Sequence, residues 1–279
     1  MQIHSINTGL FKLDGGAMYG VIPKSLWEKV NAPDDNNMCT WAMRCLLIED
    51  GNRLILVDNG IGTKQDAKFF NHYYLHGEDS LDKSLHSLGV EKKDITDVLL
   101  THLHFDHCGG SIVNKDGGAG WELAFPNATY WSHAEHWEWA TKPNPREKAS
   151  FLKENILPIQ ESGQLKFVDE NAPFSEHITL RTSSGHTDKM ILPVIKYKEE
   201  TLVFCADLIP SSTHLGIPWV MAYDTRPLIS MSEKQDLLTT AVKENWTLCF
   251  EHDAKVECAK LVETEKGIKI GQTLQISDL

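Results

Sequence analysis

Between residues 102 and 107 the chain reads HLHFDH, three histidines and an aspartate in six positions of a sequence that has 13 histidines in all. Imidazole and carboxylate without thiolate suit zinc, or another borderline divalent ion such as iron, manganese or cobalt. A packed core does not tolerate such groups unpaired, and a solvated loop has no need of them. His102 and His104 stand two apart, so on an extended backbone both project to the same side. Asp106 and His107 follow as the chain turns, and Gly109–Gly110 permit that turn and a close helix approach. Further candidates end apolar runs elsewhere: LILV runs into Asp58, HITLRTSSG into His186, TLVFCA into Asp207 and WTLCFE into His252. The carboxyl ends of strands are where loops and ligands gather in α/β architectures. These candidates outnumber what one tetrahedral zinc can use, which points to two metal ions.

The elements that must position these residues are a mixture of strands and helices. TWAMRCLLIED and RLILVD flank Asp50–Gly51–Asn52, a hairpin signal between β-prone runs. SLDKSLHSLG puts Leu81, Leu85 and Leu88 at helical spacing, with Ser80 as N-cap and Gly89 as the stop. SMSEKQDLLTTAVKENW predicts a second helix, with Ser232 and Gln235 as a capping box and Leu237, Leu238, Ala241 and Val242 as its apolar stripe. DVLLT, ATYWS, HITLRTS, KMILPVIKY, TLVFCAD and WTLCFEH read as strands, and residues 132–160 as helix interrupted by Pro143 and Pro145. With no internal repeat or low-complexity linker, residues 1–279 are expected to form one domain of sheets covered by helices.

The order H-x-H-x-D-H, then the glycine-preceded histidine of SSGHTD, the strand-end aspartate of FCADLIP and the histidine of FEHD resembles the metallo-β-lactamase superfamily. The likeness covers essentially the whole chain, including VDNG around Asp58. It implies an α/β fold, a four-layered αββα sandwich. It also implies that His102, His104 and His186 hold one metal, that Asp106, His107 and His252 hold a second, and that Asp207 bridges them. Asp58 would orient a ligand histidine, since imidazole ligands need their tautomer and direction fixed. Asp106 and Asp207 would be the catalytic carboxylates. They offset two of the four charges of a pair of divalent ions; a bridging hydroxide offsets one more and leaves about one positive charge, which suits an electrophile whose oxygen becomes negative. Metal coordination lowers the pKa of water from roughly 15.7 towards 7, so the expected reaction is hydrolysis by that hydroxide at a carbonyl or phosphoryl centre.

Within the superfamily the pattern is most similar to the N-acyl homoserine lactone lactonases and the related organophosphate hydrolases, through FKLDGGAMYGVIPKSLW and ADLIP. One departure is that Leu208–Ile209–Pro210 lacks the tyrosine that follows the bridging aspartate in the best-known lactonases; His214 or Tyr223 could substitute. A second is GHTDKM, where Pro-Gly more usually follows the threonine. Tyr19, Trp219, His214 and Tyr223 are the substrate-binding candidates. Trp137 and Trp139, two apart on a helix, cannot both easily face one pocket. Phosphotriester or β-lactam hydrolysis is the alternative on the same site, and a mono-iron sulfur dioxygenase the alternative on the same fold.

Composition narrows the partners. Hydrophobic residues make up 41% and charged residues 24% of the chain, a soluble globular balance. The net charge of −12, with no Lys/Arg cluster, disfavours nucleic acid. No apolar window is long enough for a membrane span. The N-terminus lacks the pattern of a secretion signal, and the six cysteines contain no CxxC pair, so reduced thiols and a cytoplasmic location are expected. A small-molecule substrate is the expected partner, and a homodimer through the N-terminal loop is compatible with the residues.

Overall fold

A computed structural model describes residues 1–115, 118 and 120–279. The strands are β1 (Gln2–Asp14), β2 (Met38–Asp50), β3 (Arg53–Val57), β4 (Asp97–Leu99), β5 (Ile112–Asn114), β6 (Trp121–Leu123), β7 (Thr129–Ser132), β8 (Leu165–Phe167), β9 (Ile178–Ser183), β10 (Met190–Tyr197), β11 (Glu200–Phe204), β12 (Thr247–Cys249), β13 (Cys258–Thr264) and β14 (Gly267–Leu274). The helices are α1 (Gly15–Tyr19), α2 (Lys24–Trp27), α3 (Ala67–Asn71), α4 (Leu81–Ser87), α5 (Phe105–Cys108), α6 (Ala134–Thr141), α7 (Lys153–Glu161) and α8 (Pro227–Lys243). They sort into two compact units, Met1–Gly9 with Met43–Asn171, and Leu10–Ala42 with Ala172–Leu279. β1 and β2 each carry the chain from one unit to the other.

The first unit is organised by a sheet of order β1-β2-β3-β4-β7-β8. Gly51 has φ +65°, the left-handed region that a glycine-first hairpin loop requires, and the loop brings Asp50 opposite Arg53. From β3 onwards the neighbours run parallel, with Val57 beside Leu99. Parallel pairing puts the carboxyl ends of β3 and β4 on the same edge, so Asp58 and the Thr101–His102 segment emerge side by side. Ile6, Leu47, Leu56, Val98, Leu100, Leu103, Phe125, Tyr130 and Ile159 belong to the buried core beneath them. α4 starts and stops as its sequence predicts, with the Ser80 Oγ accepting the Lys83 N–H at 3.2 Å and Gly89 at φ +72°. The 132–160 stretch divides into α6 and α7, and the residues between them include both prolines.

The second unit has the sheet β14-β13-β12-β11-β10-β9, antiparallel except for the β11–β12 pair. Its long helix corrects the capping assignment. α8 begins at Pro227, five residues before Ser232. Proline at the first helical position lacks only an N–H that is unsatisfied there anyway, and its fixed φ is already helical. Ser232 therefore lies within the helix. The stripe stands: Leu237, Leu238 and Ala241 are each 1% exposed. All six cysteines are buried and free. Among the described residues no helix is long and apolar enough to cross a membrane.

Candidate metal centre

In the first unit the chemistry begins one residue past β3. Asp58 is fully buried at φ +56°, and its Oδ1 accepts the Thr101 N–H at 2.8 Å. Its Oδ2 accepts the Thr101 hydroxyl at 2.6 Å and faces His107 Nδ1 at 3.2 Å. Thr101 Oγ1 in turn lies 3.1 Å from His102 Nδ1. One carboxylate thus orients His107 directly and His102 through a hydroxyl. On their other sides, His102 Nε2 stands 3.1 Å from His104 Nδ1, and His107 Nε2 stands 3.7 Å from Asp106 Oδ2. Two ring nitrogens so close can share at most one proton, and a cation is the other way to reconcile their lone pairs. The tight turn after them depends on its glycines. A Cβ on Gly109 would come within 2.2 Å of the Ile61 carbonyl oxygen, and one on Gly110 within 2.2 Å of that of Asn59.

In the second unit, β9 delivers His186 through the Ser183–Ser184–Gly185 loop. The Glu233 carboxylate on α8 holds this loop, accepting the Ser183 hydroxyl at 2.6 Å and the N–H groups of Ser184 and Gly185 at 2.8 and 3.0 Å. His186 Nδ1 pairs with Asp224 Oδ1 at 3.0 Å, while its Nε2 lies 3.1 Å from Asp207 Oδ2. His252 Nδ1 donates to the Ala42 carbonyl at 2.8 Å, and its Nε2 lies 3.0 Å from Asp207 Oδ1. Asp207 therefore turns one oxygen to each imidazole. The residue before it, Ala206, has φ +41°, a conformation costing roughly 1–2 kcal/mol for an L-residue and of the kind that gathers at functional sites. Burial opposes a charged His186, but Asp207 and Asp224 outweigh it and push its pKa up to about 10. That is a pocket for positive charge.

His102, His107, His186 and His252 share one plan. One ring nitrogen is held by an orienting group, and the other is met at 3.0–3.7 Å by an imidazole or a carboxylate. Together with His104, Asp106 and Asp207, they all belong to buried His/carboxylate groups able to hold a metal ion. The donor set, imidazole and carboxylate with oriented tautomers, fits borderline divalent ions.

The residues read as substrate contacts all fall in the second unit. Tyr19 and His214 are fully buried and stacked, with ring centroids 4.8 Å apart. Tyr19 Oη bonds Thr213 Oγ1 at 2.8 Å. His214 is bonded by Ser211 at Nδ1 and by the Met18 carbonyl at Nε2, and burial lowers its pKa to about 4. Trp219 meets Tyr19 edge-on at 5.7 Å. Tyr223 is 39% exposed. Trp137 and Trp139 separate as expected, donating to Gln160 and to Glu147 respectively. Sequence reasoning missed Asp224 and His136, whose Nε2 accepts the N–H of Leu103, between two candidate ligands, at 2.9 Å. Neither carries a local signal: Asp224 is 38 residues from His186, and His136 is 33 from Leu103.

The sequence profile of the metallo-beta-lactamase superfamily matches residues 44–252. An N-acyl homoserine lactonase from a Bacillus species is 24% identical over 241 residues, covering 81% of this chain and 84% of its own. A crystal structure of a "probable metal-dependent hydrolase" from Staphylococcus aureus superposes with a TM-score of 0.87 at 28% identity and covers 98% of both chains. AidC, a dizinc quorum-quenching lactonase solved with a product, superposes with a TM-score of 0.80 at 22% identity, over 98% of this chain and 95% of its own.

Proposed function

The chain belongs to the metallo-β-lactamase superfamily, and on that premise we propose that this metallo-hydrolase carries two metal ions and opens lactones or esters. In this proposal His102, His104 and His186 hold one ion, Asp106, His107 and His252 hold the other, and Asp207 serves both, with residues 1–279 acting as a single catalytic domain. The observation that carries it is the shared plan of the imidazoles, each fixed through one nitrogen by Asp58, Thr101, Asp224 or the Ala42 carbonyl. When bound, two divalent ions, zinc first among them, supply Lewis acidity and a water nucleophile at neutral pH.

The chain's own groups do the rest. Asp106 and Asp207 offset part of the ionic charge and stand ready to accept a proton from the nucleophile. Asp58 and Asp224 keep the imidazoles in the tautomer that leaves a lone pair for the metal. Trp219 and Tyr223, the two candidates with accessible surface, contact the substrate, while Tyr19 and His214 support their loop from beneath. The lactone reading draws on relatives named N-acyl homoserine lactonase.

The test is proton release in weak buffer by metal-reconstituted protein against lactones, aryl esters, phosphotriesters and β-lactams, with His107→Ala alongside. Turnover of lactones or esters that disappears in the variant is the expected result. Turnover confined to phosphotriesters or β-lactams would replace the substrate assignment, and turnover surviving in His107→Ala would refute the two-metal mechanism.

A further inference from the structure

His104 differs from the other imidazoles in which nitrogen faces the candidate ligands: Nδ1 is toward His102 Nε2, leaving Nε2 on the far side of the ring. There, Glu147 Oε1 stands 3.4 Å away, within ion-pair range though not in hydrogen-bond geometry, with Glu147 3% exposed and His104 6% exposed. A buried carboxylate costs several kcal/mol unless it is paired and hydrogen-bonded, so its retention in this core calls for a reason. Its other oxygen is fixed by two neutral donors, the Trp139 indole N–H at 2.7 Å and the Asn144 amide at 2.5 Å. With Oε2 anchored twice, the side chain cannot rotate away, and Oε1 is held toward His104. The same short helix makes a second contact with this segment, since α6 also carries His136, the acceptor for the Leu103 N–H. The loop that follows closes around the ring: Ser150 accepts the Phe105 N–H at 3.0 Å, and the Phe151 ring lies 4.8 Å from that of His104.

We infer that Glu147, anchored by Trp139, is a positioning residue that holds the proton of His104 on Nε2 and so presents Nδ1 as the metal-binding atom. The inference rests on the proposed metal centre and adds to it a carboxylate that the sequence places in a proline-punctuated loop with no motif. A carboxylate behind a ligand imidazole raises its basicity as well as fixing its direction, and losing such a partner costs 10–100-fold in metal affinity.

The experiment is zinc competition against a chromophoric chelator, using the metal-free full chain and three variants. Glu147→Leu keeps approximate shape but removes the acceptor; Glu147→Gln keeps an oxygen acceptor without charge; Trp139→Phe removes only the anchor. The expected result is a 10–100-fold rise in the zinc dissociation constant for Glu147→Leu, with partial recovery in Glu147→Gln and a several-fold rise in Trp139→Phe. The visible spectrum of the cobalt-substituted protein is expected to change as His104 leaves the ligand set. Affinity within twofold of wild type in all three variants would overturn the inference while leaving the metal centre standing. So would an affinity loss that merely follows unfolding of the metal-free protein, with the cobalt spectrum unchanged. If Glu147→Leu fails to fold, Glu147→Gln and Trp139→Phe decide on the same readouts. A wild-type chain that binds no zinc would overturn the proposed function, and this inference with it.

Discussion

A single methyl group tests how closely His186 is placed. A Cβ on Gly185 would lie 2.3 Å from the Ser230 backbone nitrogen and 2.5 Å from its Cα, and those atoms belong to α8 and cannot swing aside as a side-chain tip would. Gly185→Ala is therefore expected to push the loop off the helix, break the Glu233 contacts and cut zinc content measured on the purified protein by at least half, whereas Gly89→Ala, with nothing near its Cβ, leaves zinc content unchanged. His214 makes a different prediction, one about pH. Burial holds its folded pKa near 4, below the unfolded value of about 6.5. The unfolded chain thus binds the extra proton first, and the folded state loses stability as pH falls from about 6.5 towards 4, by at most about 3 kcal/mol. Above about pH 6.5 the group contributes no pH dependence. Urea unfolding at a series of pH values is expected to show a constant gap between wild type and His214→Gln above pH 6.5 and a shrinking gap below it. A gap that is flat down to pH 4 would refute a neutral buried imidazole. At this scale the sequence is uneven to read. His102, His104, Asp106 and His107 stand out because their spacing is local, while Asp224 becomes visible only when the chain has folded back on His186.

Helix α8 shows how one element positions two loops with consecutive residues. Glu233 accepts from the 183–185 loop. Lys234, fully buried, donates to the carbonyls of His214, Gly216 and Trp219 at 3.0, 3.0 and 2.7 Å. Burial lowers the Lys234 pKa to about 8, so at neutral pH the ammonium is still the dominant form and caps all three carbonyls. Lys234→Met would fit the space but strand those acceptors. At about 1–3 kcal/mol for a buried unsatisfied group, partly offset by removing a buried charge, the net loss is expected to exceed about 2 kcal/mol. Chemical denaturation measures it, and Lys243→Met at the end of the same helix is expected to stay within about 0.5 kcal/mol. The apolar stripe of α8 was legible because helical periodicity is a property of neighbours in sequence. Its start was misread because Ser232 and Gln235 mimic a capping box inside the helix, whereas the actual start is marked by a different signal, a proline at the first helical position. Lys234 was invisible, since a lysine in a polar run reads as solvated until the carbonyls that surround it are known.

Across the whole molecule, the strands that end in candidate ligands were legible because each is a short apolar run broken by a single His or Asp. The sheet orders were not, since they depend on pairings between distant segments. In the proposal one ion takes His102 and His104 together with His186, the other takes Asp106 and His107 together with His252, and Asp207 serves both. If both ions bind as proposed, metal must stabilise the folded chain. Ligand that binds only the folded state adds about 2.7 kcal/mol at a hundredfold excess over its dissociation constant, and each kcal/mol moves the midpoint of a chain somewhat smaller than this one by about 2–4 °C. Calorimetry of the metal-free chain, then of the same sample with zinc added to that excess, is expected to give one transition that rises by roughly 5–10 °C per bound ion. Asp207→Asn, which keeps the shape of the carboxylate but removes its charge, is expected to lose most of that rise. A midpoint that zinc leaves unmoved, or that rises equally in Asp207→Asn, would mean that the proposed two-ion centre has to be abandoned.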